Sequence, residues 1–169
     1  GAALLGAVWN APDPVETLVR CRRAADMAAT TSSPASTPTR PAAVLSIAGS
    51  DPSGGAGIQA DIKAITALGA YAATAITAVT VQNTLGVRSV FPIPAQVVAD
   101  QIDAVMEDIE PQAVKIGMVN DADIVRTIAA AMKRYTPRVV VYDPVMVSTS
   151  GHRLIEEHTT DIIERELMP

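Results

Sequence analysis

One stretch of this chain narrows its fold more than any other: Val44-Leu45-Ser46-Ile47-Ala48-Gly49-Ser50-Asp51-Pro52-Ser53-Gly54-Gly55-Ala56-Gly57-Ile58-Gln59-Ala60-Asp61. An apolar run of strand length passes through Asp-Pro and a glycine cluster, then opens into a helical pattern. Ile58, Ile62, Ile65 and Leu68 follow at spacings of four and three, which sets them on one helix face. A strand that ends in a glycine loop at a helix N-terminus presents unpaired backbone N–H groups. It also lets a ligand approach main chain where no Cβ stands. The same glycines suit a tight βα turn that needs them for its own geometry. These residues alone leave both readings open.

Two well-known ligand loops fail against this stretch. A P-loop, G-x-x-x-x-G-K-[ST], started at Gly49 reaches Gly54 but then gives Gly55 and Ala56, with no lysine. The dinucleotide fingerprint G-x-G-x-x-G/A is met by Gly55, Gly57 and Ala60. The carboxylate it needs about twenty residues on is missing, because no Asp or Glu lies between Asp61 and Asp100. A Rossmann dehydrogenase is therefore disfavoured.

Downstream, strand and helix patterns alternate. Ala72 to Val81 is apolar and rich in β-branched residues, which predicts a buried strand; Val87 to Phe91 is a second short run closed by Pro92 and Pro94. Val97, Val98, Ile102, Val105, Met106 and Ile109 keep a helical period, with Asp100, Asp103, Glu107 and Asp108 on an opposite, solvated face. Val114 to Gly117 is strand again. Asn120 or Asp121 can cap a helix faced by Ile124, Val125, Ile128 and Met132. Arg138 to Tyr142 is the next strand, ending at Asp143-Pro144, and Ile155 to Leu167 is a mixed-charge helix. This alternation predicts an α/β fold with a parallel sheet and right-handed crossovers, whose ligands sit outside the carboxyl ends of the strands. The Gly49 loop, Gln82, Met118 and Asp143-Pro144 all fall just past predicted strand ends, so they converge on one sheet edge.

Lys115 is a charge inside an apolar strand pattern and asks for a partner. Asp143, at the end of what should be a neighbouring strand, is the candidate; the pair is either structural or on the phosphate side of a site. Asp61, placed in the first helical turn, reads as a charge–dipole partner of the helix start. His152 and His158 are not spaced or flanked as a metal site.

The run Ile47 to Asp61 resembles the opening motif of the hydroxymethylpyrimidine/phosphomethylpyrimidine kinases of thiamine biosynthesis, which belong to the ribokinase-like superfamily. The resemblance continues in register through Ala67-Leu68-Gly69-Ala70-Tyr71, Ala78-Val79-Thr80-Val81-Gln82-Asn83-Thr84, Lys115-Ile116-Gly117-Met118 and Asp143-Pro144-Val145-Met146-Val147-Ser148-Thr149-Ser150-Gly151. It implies a ribokinase-like three-layer sandwich with a mostly parallel central sheet, of which residues 43–169 are the N-terminal half. It implies transfer of the ATP γ-phosphoryl group, with Mg²⁺, to 4-amino-5-hydroxymethyl-2-methylpyrimidine and/or its monophosphate. In the family the glycine loop, the glutamine and the methionine line the pyrimidine pocket; these map onto Gly49, Gln82 and Met118. Gln82 can donate and accept along the ring edge, and Met118 is a polarizable side chain suited to the ring face, although core packing is the commoner fate of a methionine. Thr80 offers a backbone carbonyl, and Asp61 resembles the family's motif-ending aspartate near the pocket.

Two departures limit the carry-over. Thr149 stands where many family members have a lysine, so that phosphate contact is not transferred. No Gly-x-Gly-[Cys/Asp] turn follows the linker, so no catalytic residue is named, and these 169 residues are expected to be inactive alone. The alternatives are a non-catalytic pyrimidine-binding fragment and a neighbouring kinase such as one for pyridoxal. Family members are commonly dimers, which implies a homodimer at full length.

Residues 1–27 form a single βα pattern that resembles the last strand and helix of thiamine phosphate synthase, a (β/α)8 barrel; an unrelated extension is the alternative. Residues 28–42 are small, polar and proline-rich and read as a disordered linker. A net charge of −5 argues against nucleic acid and anionic membrane as partners. One cysteine, Cys21, excludes an internal disulfide framework, no apolar run has membrane-spanning length, and the N-terminus lacks a basic leader, so a cytoplasmic location is expected.

Overall fold

The computed structural model describes residues 41–144 and 157–167; the readings made above of residues 1–40 and 145–156 lie outside them. The described strands are β1 (Ala43–Ser50), β2 (Tyr71–Asn83), β3 (Gly86–Pro92), β4 (Ala113–Ile116) and β5 (Val139–Tyr142), in the sheet order β3-β2-β1-β4-β5. Strand β1 runs parallel to β2 and β4, and β4 parallel to β5. Only β3 is antiparallel, turning back on β2 as a hairpin. The second short run is thus one arm of a hairpin, with no helix ahead of it.

The helices are α1 (Gly57–Ala67), α2 (Ala95–Asp108), α3 (Ala122–Tyr135) and α4 (Glu157–Ile162), the last continuing as a π-helical stretch over Ile163–Leu167. Helix α3 follows its sequence signals closely. The Asp121 side chain caps it by accepting from the amides of Asp123 (2.8 Å) and Ile124 (3.1 Å). Lys133 and Arg134 sit in its last turn, where the dipole favours cations.

Leu45 and Ile47 of β1, Ala73 and Ala75 of β2, and Val114 and Ile116 of β4 pack in one core with Val98, Ile102, Ile124, Val125 and Ile128 of α2 and α3. Alternation along the strands turns Ser46 and Lys115 to the opposite face. There Asp61 of α1 meets both. Helices therefore cover both faces, giving three layers. The apolar stripe of α1 is only partly used: Ile58 is buried, whereas Ile62 and Leu68 remain 38% and 56% exposed. On α2, Val97 likewise stays exposed while Val98 and Ile102 are fully buried.

The order of strands decides where a ligand can sit. From β1 the chain crosses by α1 to β2 on one side, then returns by α2 to β4 on the other side of β1. The crossovers leave on opposite faces, so the place for a ligand crevice is between the carboxyl ends of β1 and β4. This is the topological switch point of a doubly wound sheet.

Candidate functional site

Gly49 lies at that switch point, buried near the end of β1. A Cβ there would stand 2.7 Å from Met118 Cε and 3.6 Å from the Ala78 carbonyl oxygen. The Met118 methyl thus takes the space that the missing side chain leaves. Met118 is held from behind: the buried Thr77 hydroxyl of β2 donates to its carbonyl at 2.9 Å. Gly49 and Met118, sixty-nine residues apart by their numbers, form one wall.

Strand β2 supplies the adjoining wall through an irregularity. Two steps along β1, Ala48 to Ser50, match three along β2, Ile76 to Val79. This bulge shifts the side-chain phase, so that Ala73, Ala75 and Thr77 are buried, then Ala78 and Thr80. Val79 and Val81 are left 43% and 54% exposed. The prediction of a buried strand is corrected here: Thr77 and Thr80 turn in, while Val79 and Val81 turn out. The Thr80 hydroxyl sits 3.0 Å from the Ser50 carbonyl oxygen and 3.1 Å from Gln82 Oε1, tying the glutamine to the end of β1. Gln82 still lies within β2, opposite a second irregularity where Val81 and Gln82 pair with Ser89 and Val87. It is half-buried.

The glycine loop is filled from within. Asp51, 3% exposed, accepts from the amides of Ser53 (2.8 Å), Gly55 (3.2 Å) and Ala56 (2.9 Å) and from the Ser53 hydroxyl (2.7 Å). Gln59 clamps the loop from α1, its Oε1 accepting from the Asp51 amide (2.8 Å) and its Nε2 donating to Ser50 Oγ (2.7 Å). Lys63 donates to the Gly54 carbonyl at 2.7 Å. The Gly54 amide donates to the Asp51 carbonyl at 3.0 Å, so the expectation of unpaired N–H groups along this loop is wrong for the amides of Asp51, Ser53, Gly54, Gly55 and Ala56. Asp51 and Gln59 were missed from sequence, although an Asp two residues before a loop amide is the signature of an Asx-turn.

Two further expectations are corrected. Lys115 pairs with Asp61, Nζ to Oδ2 at 2.9 Å, and not with Asp143. The reason is face: Lys115 turns to the α1 side of the sheet, where Ser46 Oγ also donates to Asp61 Oδ2 at 2.6 Å. Helix α1 starts at Gly57, with no acidic residue in its first turn, so Asp61 acts as a partly buried pairing group and not as a dipole partner. Lys115 also shapes the edge, because a Cβ on Gly117 would stand 2.9 Å from its Nζ. Asp143 lies just past β5, its amide donating to the Ile116 carbonyl at 2.9 Å. Burial, and then the Asp143 charge, push the Tyr142 hydroxyl above its ordinary pKa. Among the described residues no group of three or more His, Cys, Asp and Glu side chains is placed to hold a metal ion.

The phosphomethylpyrimidine kinase family profile matches residues 51–169, which begin at the buried Asp51, two residues past Gly49, and take in Thr80, Gln82 and Met118. The chain belongs to the phosphomethylpyrimidine kinase family. A hydroxymethylpyrimidine/phosphomethylpyrimidine kinase of Rhizobium meliloti is 50% identical over 128 residues, covering 76% of this chain and 48% of that enzyme. A thiamine biosynthesis bifunctional protein of Geobacter sulfurreducens is 47% identical over 75% of this chain and 26% of its own length. The crystal structure of phosphomethylpyrimidine kinase from Clostridium difficile matches with a TM-score of 0.72 and 47% identity, over 76% of this chain and 55% of that one. Pyridoxal kinase from Staphylococcus aureus, solved with AMP-PCP, matches at 0.66 and 32% identity, over 76% and 46%. The chain thus spans about half the length of the single-function relatives it matches. Its fold is the ribokinase-like α/β sandwich expected from the opening motif. No helix among its described residues is long and apolar enough to cross a membrane.

Proposed function

We propose that residues 43–169 form the pyrimidine-binding side of a hydroxymethylpyrimidine/phosphomethylpyrimidine kinase acting in thiamine biosynthesis. The observation that carries this is the meeting of Gly49 and Met118 at the switch point, with the Thr80–Gln82 pair of β2 tied to the end of β1 beside them. A flat, aminated heterocycle needs bare main chain to approach, a polar edge reader and an apolar cover. Gly49 supplies the first, the Gln82 amide the second and the Met118 thioether the third, once its mobile methyl moves from Gly49 onto the ring. Asp61 and Lys115 hold α1 against the sheet behind the seat, and Asp143 marks its far rim.

In the whole kinase the substrate hydroxyl oxygen attacks the γ-phosphorus of ATP. The bond to the ADP oxygen breaks, and the hydroxyl proton passes to a base. Mg²⁺, held with the nucleotide, would neutralise charge on the transferring group; the described residues offer no cluster for it. The phosphate-side groups belong to the part of the relatives that this chain does not span. Residues 1–27 would be the end of a synthase domain and 28–42 its linker, a reading favoured by the bifunctional relative. We place the full-length protein in the cytoplasm as a homodimer.

The rival reading is a pyridoxal kinase, whose structures share the fold at 32% identity; the 50% identity to a pyrimidine kinase favours the first. Isothermal titration decides between them. The chain should bind hydroxymethylpyrimidine more tightly than pyridoxal, and Gln82→Ala should weaken pyrimidine binding by about 1–3 kcal/mol as a buried polar partner is lost. Equal affinity for the two rings, or an unchanged Gln82→Ala, refutes the assignment.

A further inference from the structure

We propose that Asp51 is the resident anion of the glycine loop: its carboxylate fills the nest of amides that the loop would otherwise offer to a phosphate, and so sets the backbone of the pyrimidine seat. The second clause rests on the function proposed above; the first does not.

Successive backbone N–H groups that converge on one point make an anion-binding concavity. Here the amides of Ser53, Gly55 and Ala56 converge, and the point is occupied by the protein's own side chain. Oδ1 accepts from the Ser53 amide at 2.8 Å; Oδ2 accepts from the amides of Gly55 at 3.2 Å and Ala56 at 2.9 Å. The Ser53 hydroxyl lies 2.7 Å from Oδ1 and 2.9 Å from Oδ2. Four donors aimed at two oxygens match the ionised, acceptor-only carboxylate, and such charge-assisted bonds are the strong ones. Asp51 is 3% exposed, so the charge is sealed in place.

Two consequences follow. A phosphate arriving at this loop would meet a like charge and donors already in use. Phosphates of substrate or nucleotide therefore lie elsewhere, and the pyrimidine presents its uncharged ring to the loop. The carboxylate also draws residues 53–56 onto residue 51, which seats Gly57, at a φ of 56°, against the Gly49 carbonyl. The geometry of Gly49 is thus set through Asp51, which acts as a positioning residue.

The test compares the chain with Asp51→Gly, Asp51→Asn and Ser53→Ala. Formate is titrated against sodium chloride at matched ionic strength, following thermal midpoints and the calorimetric Kd for hydroxymethylpyrimidine. Formate should stabilise Asp51→Gly saturably and leave the parent chain unmoved, because only the variant has a vacant nest. Asp51→Asn, equal in size but setting an N–H against amide donors, should weaken pyrimidine binding about tenfold or more. Formate should restore part of the affinity of Asp51→Gly. Formate acting no better than chloride on Asp51→Gly, or parental pyrimidine affinity in Asp51→Asn, overturns the proposal. Should both Asp51 variants fail to fold, Ser53→Ala decides: its affinity should fall severalfold, and an unchanged Kd counts against the role. Should the parent chain bind no pyrimidine, the proposed function fails, while the formate response of Asp51→Gly still settles the nest.

Discussion

Gly57 closes the loop against β1, and nothing but glycine fits there. Its φ of 56° is left-handed, and a Cβ would collide with the Gly49 carbonyl oxygen. Gly57→Ala should lose about 2–5 kcal/mol, summing about 1–2 for the left-handed backbone and about 1–3 for the clash. Urea denaturation measures this, and a loss under 1 kcal/mol would show that the loop relaxes freely. Lys115 and Asp61, with side chains 22% and 12% exposed, invite a double-mutant cycle. Lys115→Met should cost about 1–3 kcal/mol by stranding Asp61, less than for a fully buried pair because water reaches both. Adding Asp61→Asn should recover most of that loss; simple additivity would show the two are uncoupled. The sequence showed that Lys115 needs a partner, because a lone charge among Val114 and Ile116 is costly. It could not show which one, because that depends on β4 lying beside β1 and on α1 covering the lysine's face.

At the level of elements, the helices were the legible part. The 3.6-residue periods of α2 and α3 and the Asp121 cap appear where the pattern puts them, because each is a local property of the chain. Strand β2 was legible as a strand but not in its phase. Its bulge arises from pairing with β1, where Ala48 meets Ile76 and Ser50 meets Val79, and so its buried Thr80 and exposed Val79 could not be read from composition. The acidic side of α2 holds another non-local feature: Asp103 and Glu107 do not merely face solvent but join α2 to α3. Arg134 reaches Asp103 at 3.0 Å and Glu107 at 3.2 Å, and the Tyr135 hydroxyl donates to the same carboxylates at 2.8 and 3.1 Å. Loss of water at this seam, and then the two acceptor carboxylates, push the Tyr135 pKa from 10.0 up to about 12. The folded protein therefore holds this proton more tightly than the unfolded chain does. The resulting stability is complete below pH 10.0 and is lost as pH rises through about 12. Tyr135→Phe should be less stable than the parent by a constant margin up to that lower limit, and the margin should narrow above it. Denaturation midpoints collected from neutral to alkaline pH would reveal it, and a margin that stays constant into strong alkali would contradict the assigned bonds.

At the scale of the whole molecule, the described residues form a doubly wound sheet whose two edges differ. The β3 edge is shaped by the hairpin, its irregular pairing at Gln82 and the exposed Arg88. Such features blunt edge pairing. Among the described residues the β5 edge has no such protection: Val139, Val140 and Val141 are 46%, 45% and 52% exposed, so both faces of this parallel strand meet water. Strands of parallel sheets are ordinarily covered on both faces, and the relatives carry about as much chain again as the part aligned here. A valine edge of this kind is a template for pairing with another chain. The 169-residue protein should therefore associate in proportion to its concentration, through β5. Val140→Lys should suppress this, because a charge on an edge strand makes docking of a second strand unfavourable, while an exposed site tolerates the change within about 0.5 kcal/mol. Sedimentation velocity over a concentration series, with urea midpoints as the folding control, tests both parts. A parent chain that sediments as one species throughout would show the edge to be inert. Association unchanged in a folded Val140→Lys would move the contact elsewhere, with the exposed Phe91 and Val81 of the hairpin next to be tried.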